Sequence, residues 1–313
     1  MVTKILVTRR INQNAIDILT SSGFEVKYYN ENHSIDKETL IKILPEYDGV
    51  LCCVSEKIDS DLLNIAAPKL KAISNMAVGL DNIDVTLARS LGIEVFNTPN
   101  VVTESTADMT IAMAFSLTRH LLSANNFIKT GHWSGWDPEI FIGRSFSNLT
   151  WGIVGFGNIG KAVAKRLSGF GIKVYFFDPI ETGYSQTTAV KTSLAVLLSM
   201  SDIISLHMPL SKETSQFFNM EKFSQMKPSS LLINMARGKI VNSVDLITAL
   251  RMKTIAGAAL DVFDPEPIPQ NHEILRFDNV ILTPHIGTAT LECRRDMAVM
   301  AANNLINYFK LKL

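Results

Sequence analysis

The sequence predicts an α/β protein of two doubly wound parallel-sheet domains. Three observations predict it. Short β-branched runs alternate with helical patterns almost throughout, the signature of parallel strands covered by helices. The length, 313 residues, exceeds one ordinary domain and suits two. A glycine-rich turn stands near mid-chain, between an apolar strand pattern and a helical one.

In the first hundred residues, strands are expected near 4–8, 25–29, 49–54, 71–74 and 94–97, with helical stretches such as 13–21 and 60–66 between them. A long helical pattern follows, roughly 103–130, opened by Pro99 and the capping residues Thr103 and Ser105. The loop after it, Gly131-His132-Trp133-Ser134-Gly135-Trp136-Asp137-Pro138, carries two large aromatics among turn residues. A second strand series is expected at 151–154, 173–177, 203–206, 230–234, 255–260 and 280–282. Six strands with intervening helices is the count of a complete dinucleotide-binding fold. Residues 289–309 read as one further helix, too short for another domain. If it returns to the first domain, residues 1–99 and 287–313 form one discontinuous domain, with 100–286 inserted into it.

Composition narrows the function classes. Apolar residues make up 47% and charged residues 19%, a mixture able to bury sizeable cores. Lysine plus arginine balances aspartate plus glutamate at 30 each, and no Lys/Arg run exceeds two, so no nucleic-acid partner is expected. No uncharged apolar stretch approaches the roughly eighteen residues of a membrane helix, so no membrane partner is expected either. The N-terminus places Arg9 and Arg10 after its apolar stretch, the reverse of a secretory signal, and the cytoplasm is the expected compartment. Cys52, Cys53 and Cys293 have no metal-ligand spacing. They read as buried small hydrophobes, and no metal is expected.

Gly155-Phe156-Gly157-Asn158-Ile159-Gly160 fits G-x-G-x-x-G in the right setting, after the strand at 151–154 and before the helical run 159–168. The first glycine permits the tight turn, the second lets a pyrophosphate approach the backbone, and the third lets helix and strand pack closely. All six residues are cofactor-binding candidates. Asp178 closes the next strand, eighteen residues beyond Gly160, where an acidic side chain binds adenosine ribose hydroxyls. A 2′-phosphate would meet a like charge there, so the pattern predicts NAD(H) over NADP(H) and a Rossmann NAD-binding domain over 100–286.

Three more segments place an ionisable residue just beyond a buried strand: Asn234-Met235-Ala236-Arg237-Gly238, Leu260 to Pro267, and Leu282-Thr283-Pro284-His285-Ile286-Gly287. Each residue alone has a structural alternative, as strand-end cap, loop charge or turn residue. Their shared place at the carboxyl edge of one sheet favours chemistry. Arg237 suits a substrate carboxylate through its planar fork. His285 suits proton transfer to a carbonyl oxygen, and Glu266 suits support of the imidazolium.

With Val78-Gly79-Leu80-Asp81-Asn82-Ile83-Asp84 added, five motifs stand in the order found in D-isomer-specific 2-hydroxyacid dehydrogenases, and over essentially its full length the chain resembles that family. The resemblance implies a Rossmann NAD-binding domain inserted into a flavodoxin-like substrate domain, and Arg237, Glu266 and His285 as the catalytic set. It also implies substrate-carboxylate binding by the backbone around Ala77, Val78 and Gly79. Thr106 would lie along the cofactor and Asp261 at its nicotinamide end, with Met208, Pro209, Ala236 and Gly287 completing the cofactor set. D stereochemistry, domain closure over the substrate and a homodimer joined through the NAD-binding domain come from the same resemblance. His207 is read either as lining the cofactor or as packing, with no catalytic role.

The segment from Trp133 to Pro138 resembles the glyoxylate and hydroxypyruvate reductase branch. There a tryptophan reaches the neighbouring subunit's substrate site, a role assigned to Trp136; an apolar staple at the dimer interface is the other reading. Glyoxylate or hydroxypyruvate is accordingly the expected substrate. A short-form D-3-phosphoglycerate dehydrogenase and a non-catalytic NAD-sensing, corepressor-like module are the alternatives, and the complete catalytic set argues against the second. Asn242 departs from the aspartate common in the family but still suits a helix cap. Asn75 and Met76 precede the substrate loop and are expected to bear on specificity.

Overall fold

The computed structural model describes residues 2–180 and 187–311. The chain divides into two compact units, Met1–Val102 with Thr288–Leu313, and Thr103–Gly287.

The first unit is built on five parallel strands, β1 (Lys4–Val7), β2 (Glu25–Tyr28), β3 (Gly49–Cys52), β4 (Ala72–Asn75) and β5 (Glu94–Phe96). Their order is β2-β1-β3-β4-β5, the doubly wound order of flavodoxin-like sheets. β3 and β4 are buried along their whole length; β3 accordingly reads as an unbroken apolar run, whereas β4 ends in the buried polar residues Ser74 and Asn75. Helices α1 (Gln13–Ser21), α2 (Lys37–Ile43), α3 (Ser60–Ala66) and α4 (Val85–Ser90) connect them. Each begins where Asn12, Asp36, Asp59 or Asp84 accepts an otherwise unpaired amide of the first turn.

The second unit opens with α5 (Thr103–Thr118) and α6 (Leu121–Lys129). One continuous helix was expected here, and the chain breaks it at His120, whose φ is 53°. The cause is tertiary: the Thr118 carbonyl accepts the Arg144 amide at 3.0 Å, so a passing loop takes the acceptor the next helical turn would use. There follow β6 (Thr150–Val154), α7 (Asn158–Ser168), β7 (Lys173–Phe177), β8 (Val190–Lys191), α8 (Leu194–Met200) and β9 (Ile203–Leu206). Then come α9 (Met220–Gln225), β10 (Leu231–Asn234), α10 (Ser243–Arg251), β11 (Gly257–Leu260) and β12 (Val280–Leu282).

These strands form one parallel sheet in the order β12-β11-β10-β9-β6-β7-β8. Among the described residues this sheet has seven strands, one more than the six expected. The addition is β8, two exposed edge residues too short to carry any period. The order of strand addition reverses between β6 and β9, which are parallel neighbours, and so opens a crevice at their carboxyl ends. Fully buried side chains such as Trp151, Phe156 and Phe176 fill the layers beside the sheet, each worth roughly 1.5–3 kcal/mol of transfer free energy. The one polar atom of Trp151 is satisfied too, with Nε1 donating to Ser205 Oγ at 2.8 Å.

The last helix, α11 (Leu291–Lys310), returns to the first unit and makes the second an insertion. Asn304 Nδ2 donates to the Asn97 carbonyl at 3.0 Å, and Phe309 meets Phe24 edge-on at 6.0 Å. Cys52 is buried and Cys53 half-buried, and burial pushes the Cys53 thiol up to about 12, in keeping with inert packing.

Candidate active site

The turn after β6 is shaped for close backbone approach. Gly155 has φ +90°, and a β-carbon there would lie 2.6 Å from the Met208 nitrogen. Both facts demand glycine. At Gly160 a β-carbon would overlap the Gly155 carbonyl, whereas at Gly157 it would point into open space. α7 then starts with no side-chain cap. An unobstructed backbone at an uncapped helix start fits a dinucleotide pyrophosphate. Phe156 contributes only main chain to this turn, because its ring is fully buried and stacks on Phe176 at 3.8 Å. Its amide donates to Asp178 Oδ2 at 2.8 Å, so the acidic residue at the end of β7 also braces the glycine turn. Ile159 is packed partly into the core below.

The carboxyl edge continues into the turn after β10. Asn234, almost fully buried, accepts the Ala236 amide at 3.0 Å and donates to the Arg237 carbonyl at 2.9 Å. These two bonds fold the chain so that Arg237 emerges at the edge, with Nη1 donating to the Ala236 carbonyl at 2.8 Å. The sequence signal for this role of Asn234 is a polar residue ending a buried strand.

His285 and Glu266 meet directly, with Nδ1 and Oε1 2.6 Å apart. Their side chains are 29% and 37% exposed, so the pair is held in place yet open to a ligand. Burial acts to raise the Glu266 pKa. It is outweighed by the hydrogen bond to His285, the charge of His285, the Phe263 amide and the charge of Arg237, leaving Glu266 below the ordinary carboxylate range. Since Nδ1 is occupied by Glu266, Nε2 is the ring nitrogen available to a substrate.

Asp261 explains how the histidine is presented. It is buried, and its Oδ1 accepts Thr283 Oγ1 at 2.6 Å and the Ile286 amide at 2.8 Å, while Oδ2 accepts the Gly287 amide at 2.7 Å. Its backbone carbonyl takes the His285 amide at 2.9 Å. This carboxylate is engaged on three sides by the His285 loop. Thr106, on the first turn of α5, is buried close to Gly287: a β-carbon on that glycine would lie 3.7 Å from Thr106 Cγ2.

Met208 is buried against the glycine turn and Pro209 is exposed beyond it. Of the two readings of His207, packing has the clearer support. Nε2 is 3.0 Å from Ser205 Oγ, and burial pushes the imidazole down to about 3, so the ring is neutral. Trp136 is 85% exposed.

In the first unit, two asparagines fix the loop after β4. Asn75 Nδ2 donates to the Gly79 carbonyl at 3.0 Å and Asn97 Nδ2 to the Val78 carbonyl at 2.8 Å. With its carbonyls clamped, the loop turns the Val78 and Gly79 amides elsewhere, and neither meets an acceptor among the described residues. The Ala77 amide differs, being bonded to the Asn75 carbonyl at 2.8 Å. No group of three or more His, Cys, Asp or Glu that could hold a metal ion occurs among the described residues.

Comparison with known proteins accords with this geometry. The family model for the NAD binding domain of D-isomer specific 2-hydroxyacid dehydrogenases matches residues 111–287. A glyoxylate reductase of Thermofilum pendens is 41% identical over 312 residues, covering 98% of this chain and 91% of that protein. A solved protein of Thermus thermophilus superposes with a TM-score of 0.93 at 37% identity, covering 98% of this chain and 97% of the other. The NADPH-dependent glyoxylate/hydroxypyruvate reductase of Sinorhizobium meliloti, solved with NADP and malonate, gives 0.85 at 30% identity, covering 99% and 94%. The chain belongs to the D-isomer specific 2-hydroxyacid dehydrogenase family.

Proposed function

We propose that this chain reduces glyoxylate or hydroxypyruvate to the corresponding 2-hydroxy acid, with NADH as the electron donor. The observation that carries the proposal is the 2.6 Å His285–Glu266 pair, set on the same sheet edge as the glycine turn and within the electrostatic reach of Arg237. NADH, when bound, supplies the hydride that reduces the keto carbon. Arg237 holds the substrate carboxylate and draws electron density from the carbonyl. His285 gives its Nε2 proton to the keto oxygen as charge develops there, and Glu266 stabilises the imidazolium that precedes this transfer. Within the first unit, the Val78 and Gly79 amides of the clamped loop are suited to an anionic group, and the Ala77 amide, already bonded, is less so.

Asp178 favours NADH, since a 2′-phosphate would be brought against its charge. That the Sinorhizobium meliloti relative is described as NADPH-dependent makes the point worth testing directly. A homodimer through the unit Thr103–Gly287 is part of the same reading. None of α6 is buried, Leu121, Leu122 and Ile128 are all more than half exposed, and Trp133 and Trp136 follow them. Trp136 then serves either the partner's substrate site or the interface. Three free cysteines suit the reducing cytoplasm. The test is NADH oxidation with glyoxylate, hydroxypyruvate, pyruvate and 2-ketobutyrate in parallel. Turnover is expected, fastest with the first two; NADH binding without turnover of any 2-keto acid overturns the proposal in favour of a sensing module.

A further inference from the structure

The chain passes between its two units at residues 102–103 and again at 287–288. Ser105 lies three residues after the first passage and Gly287 immediately before the second. The two are joined: Ser105 Oγ donates to the Gly287 carbonyl at 2.9 Å, across 182 residues of sequence. Gly287 is at the same time the last link of the His285 loop, its amide bound to Asp261 Oδ2 at 2.7 Å. A β-carbon at Gly287 would lie 3.0 Å from Met235 Cε and 3.1 Å from that same oxygen, so the residue is enclosed on several sides.

His285 itself has φ +55°, a left-handed conformation that a residue with a β-carbon adopts only when its surroundings impose it. The imposing contacts are those around Asp261, on Thr283, Ile286 and Gly287, together with the Ser105 hydroxyl on Gly287. The helix start that carries Ser105 is also tied to α7. Arg166 of α7 reaches the first two turns of α5 and donates to Glu104 Oε2 at 2.7 Å and Asp108 Oδ1 at 2.6 Å. The helix that follows the glycine turn is thus in contact with the helix start that carries Ser105.

We infer that Ser105 is a positioning residue for His285: its hydroxyl fixes the Gly287 carbonyl and so holds the histidine at the angle that keeps Nδ1 on Glu266 and Nε2 toward the substrate. The inference rests on the acid–base role proposed above for His285. Without the hydroxyl, the Gly287 end of the loop loses one of its anchors. The His285–Glu266 contact loosens, and the carboxylate supports the protonated ring less well.

The test compares Ser105→Ala, Ser105→Thr and His285→Ala in the full chain with NADH and glyoxylate. Ser105→Ala is expected to lower kcat roughly three- to tenfold, the loss of one neutral hydrogen bond, with the dissociation constant for NADH unchanged. Its kcat/KM for reduction should begin to fall at a lower pH than in the wild type. Ser105→Thr, which restores the hydroxyl, should recover both rate and profile. Wild-type kinetics in Ser105→Ala, or equal impairment in Ser105→Thr, overturns the inference. Full activity in His285→Ala would instead remove the acid–base reading beneath it.

Discussion

Gly238 is packed so closely on Phe263 that a β-carbon on the glycine would overlap the Phe263 carbonyl and come within 2.6 Å of the Asp264 nitrogen. The obstruction is main chain against main chain, so no side chain can swing aside. This contact brings the turn carrying Arg237 against the loop carrying Glu266. Gly238→Ala should force the two apart, and displacements near 1 Å at such a site cost on the order of a hundredfold in rate. Steady-state kinetics should show that loss in kcat with glyoxylate, while fluorescence titration shows NADH binding preserved. Normal kcat in the variant would mean the contact is not needed for alignment.

The lowered pKa of Glu266 gives two expectations of defined sign. A carboxylate depressed by folding contributes stability that is present above its ordinary value of 4.5 and is lost as pH falls through the folded value. Glu266→Gln should accordingly lose less stability than the wild type on acidification, measured by urea unfolding at successive pH values. Its catalysis should suffer in the opposite sense. Without the carboxylate the imidazolium is less favoured, so kcat/KM for reduction should decline at lower pH than in the wild type, and kcat should drop by roughly ten- to a hundredfold. Superimposable pH profiles would rule out the pair as the proton-transfer unit.

Asp178 allows a clean test of cofactor choice. Asp178→Asn keeps an oxygen able to accept the Phe156 amide but removes the charge. The ratio of kcat/KM for NADPH to that for NADH should rise by about tenfold or more, as expected when a like-charge clash is relieved. A wild-type preference for NADPH would contradict the assignment at once.

The exposed apolar series from α6 to Trp136 should be covered by a second copy of the chain. Leu122→Glu is expected to shift the mass in size-exclusion chromatography with light scattering from dimer to monomer. Trp136→Ala separates the two readings of that residue. An intact dimer with lowered kcat places the indole at the partner's substrate site, whereas a weakened dimer makes it an interface staple.

Much of this was legible in the sequence for local reasons. Strands buried on both faces, such as β3 and β11, read as unbroken apolar runs, and the glycine turn is defined by spacing within six residues. Arg237, Glu266 and His285 stood out because each follows such a strand. What escaped was set by distant contacts. The break between α5 and α6 depends on Arg144, some way along the chain, and β8 is too short to show a period. The duties of Asn75, Asn97, Asn234 and Ser105 are side-chain bonds to particular carbonyls, which no local pattern encodes. Asp261 stands out in the sequence, but only the folded loop shows three donors converging on its carboxylate.

On the proposed mechanism His285 moves the proton while the glycine turn holds the cofactor. The most direct measurement is NADH oxidation with glyoxylate by the wild type and by His285→Ala, alongside NADH titration of both. The wild type should turn over, and the variant should lose about two to four orders of magnitude in kcat with its NADH affinity intact. Undiminished turnover in His285→Ala would contradict that mechanism.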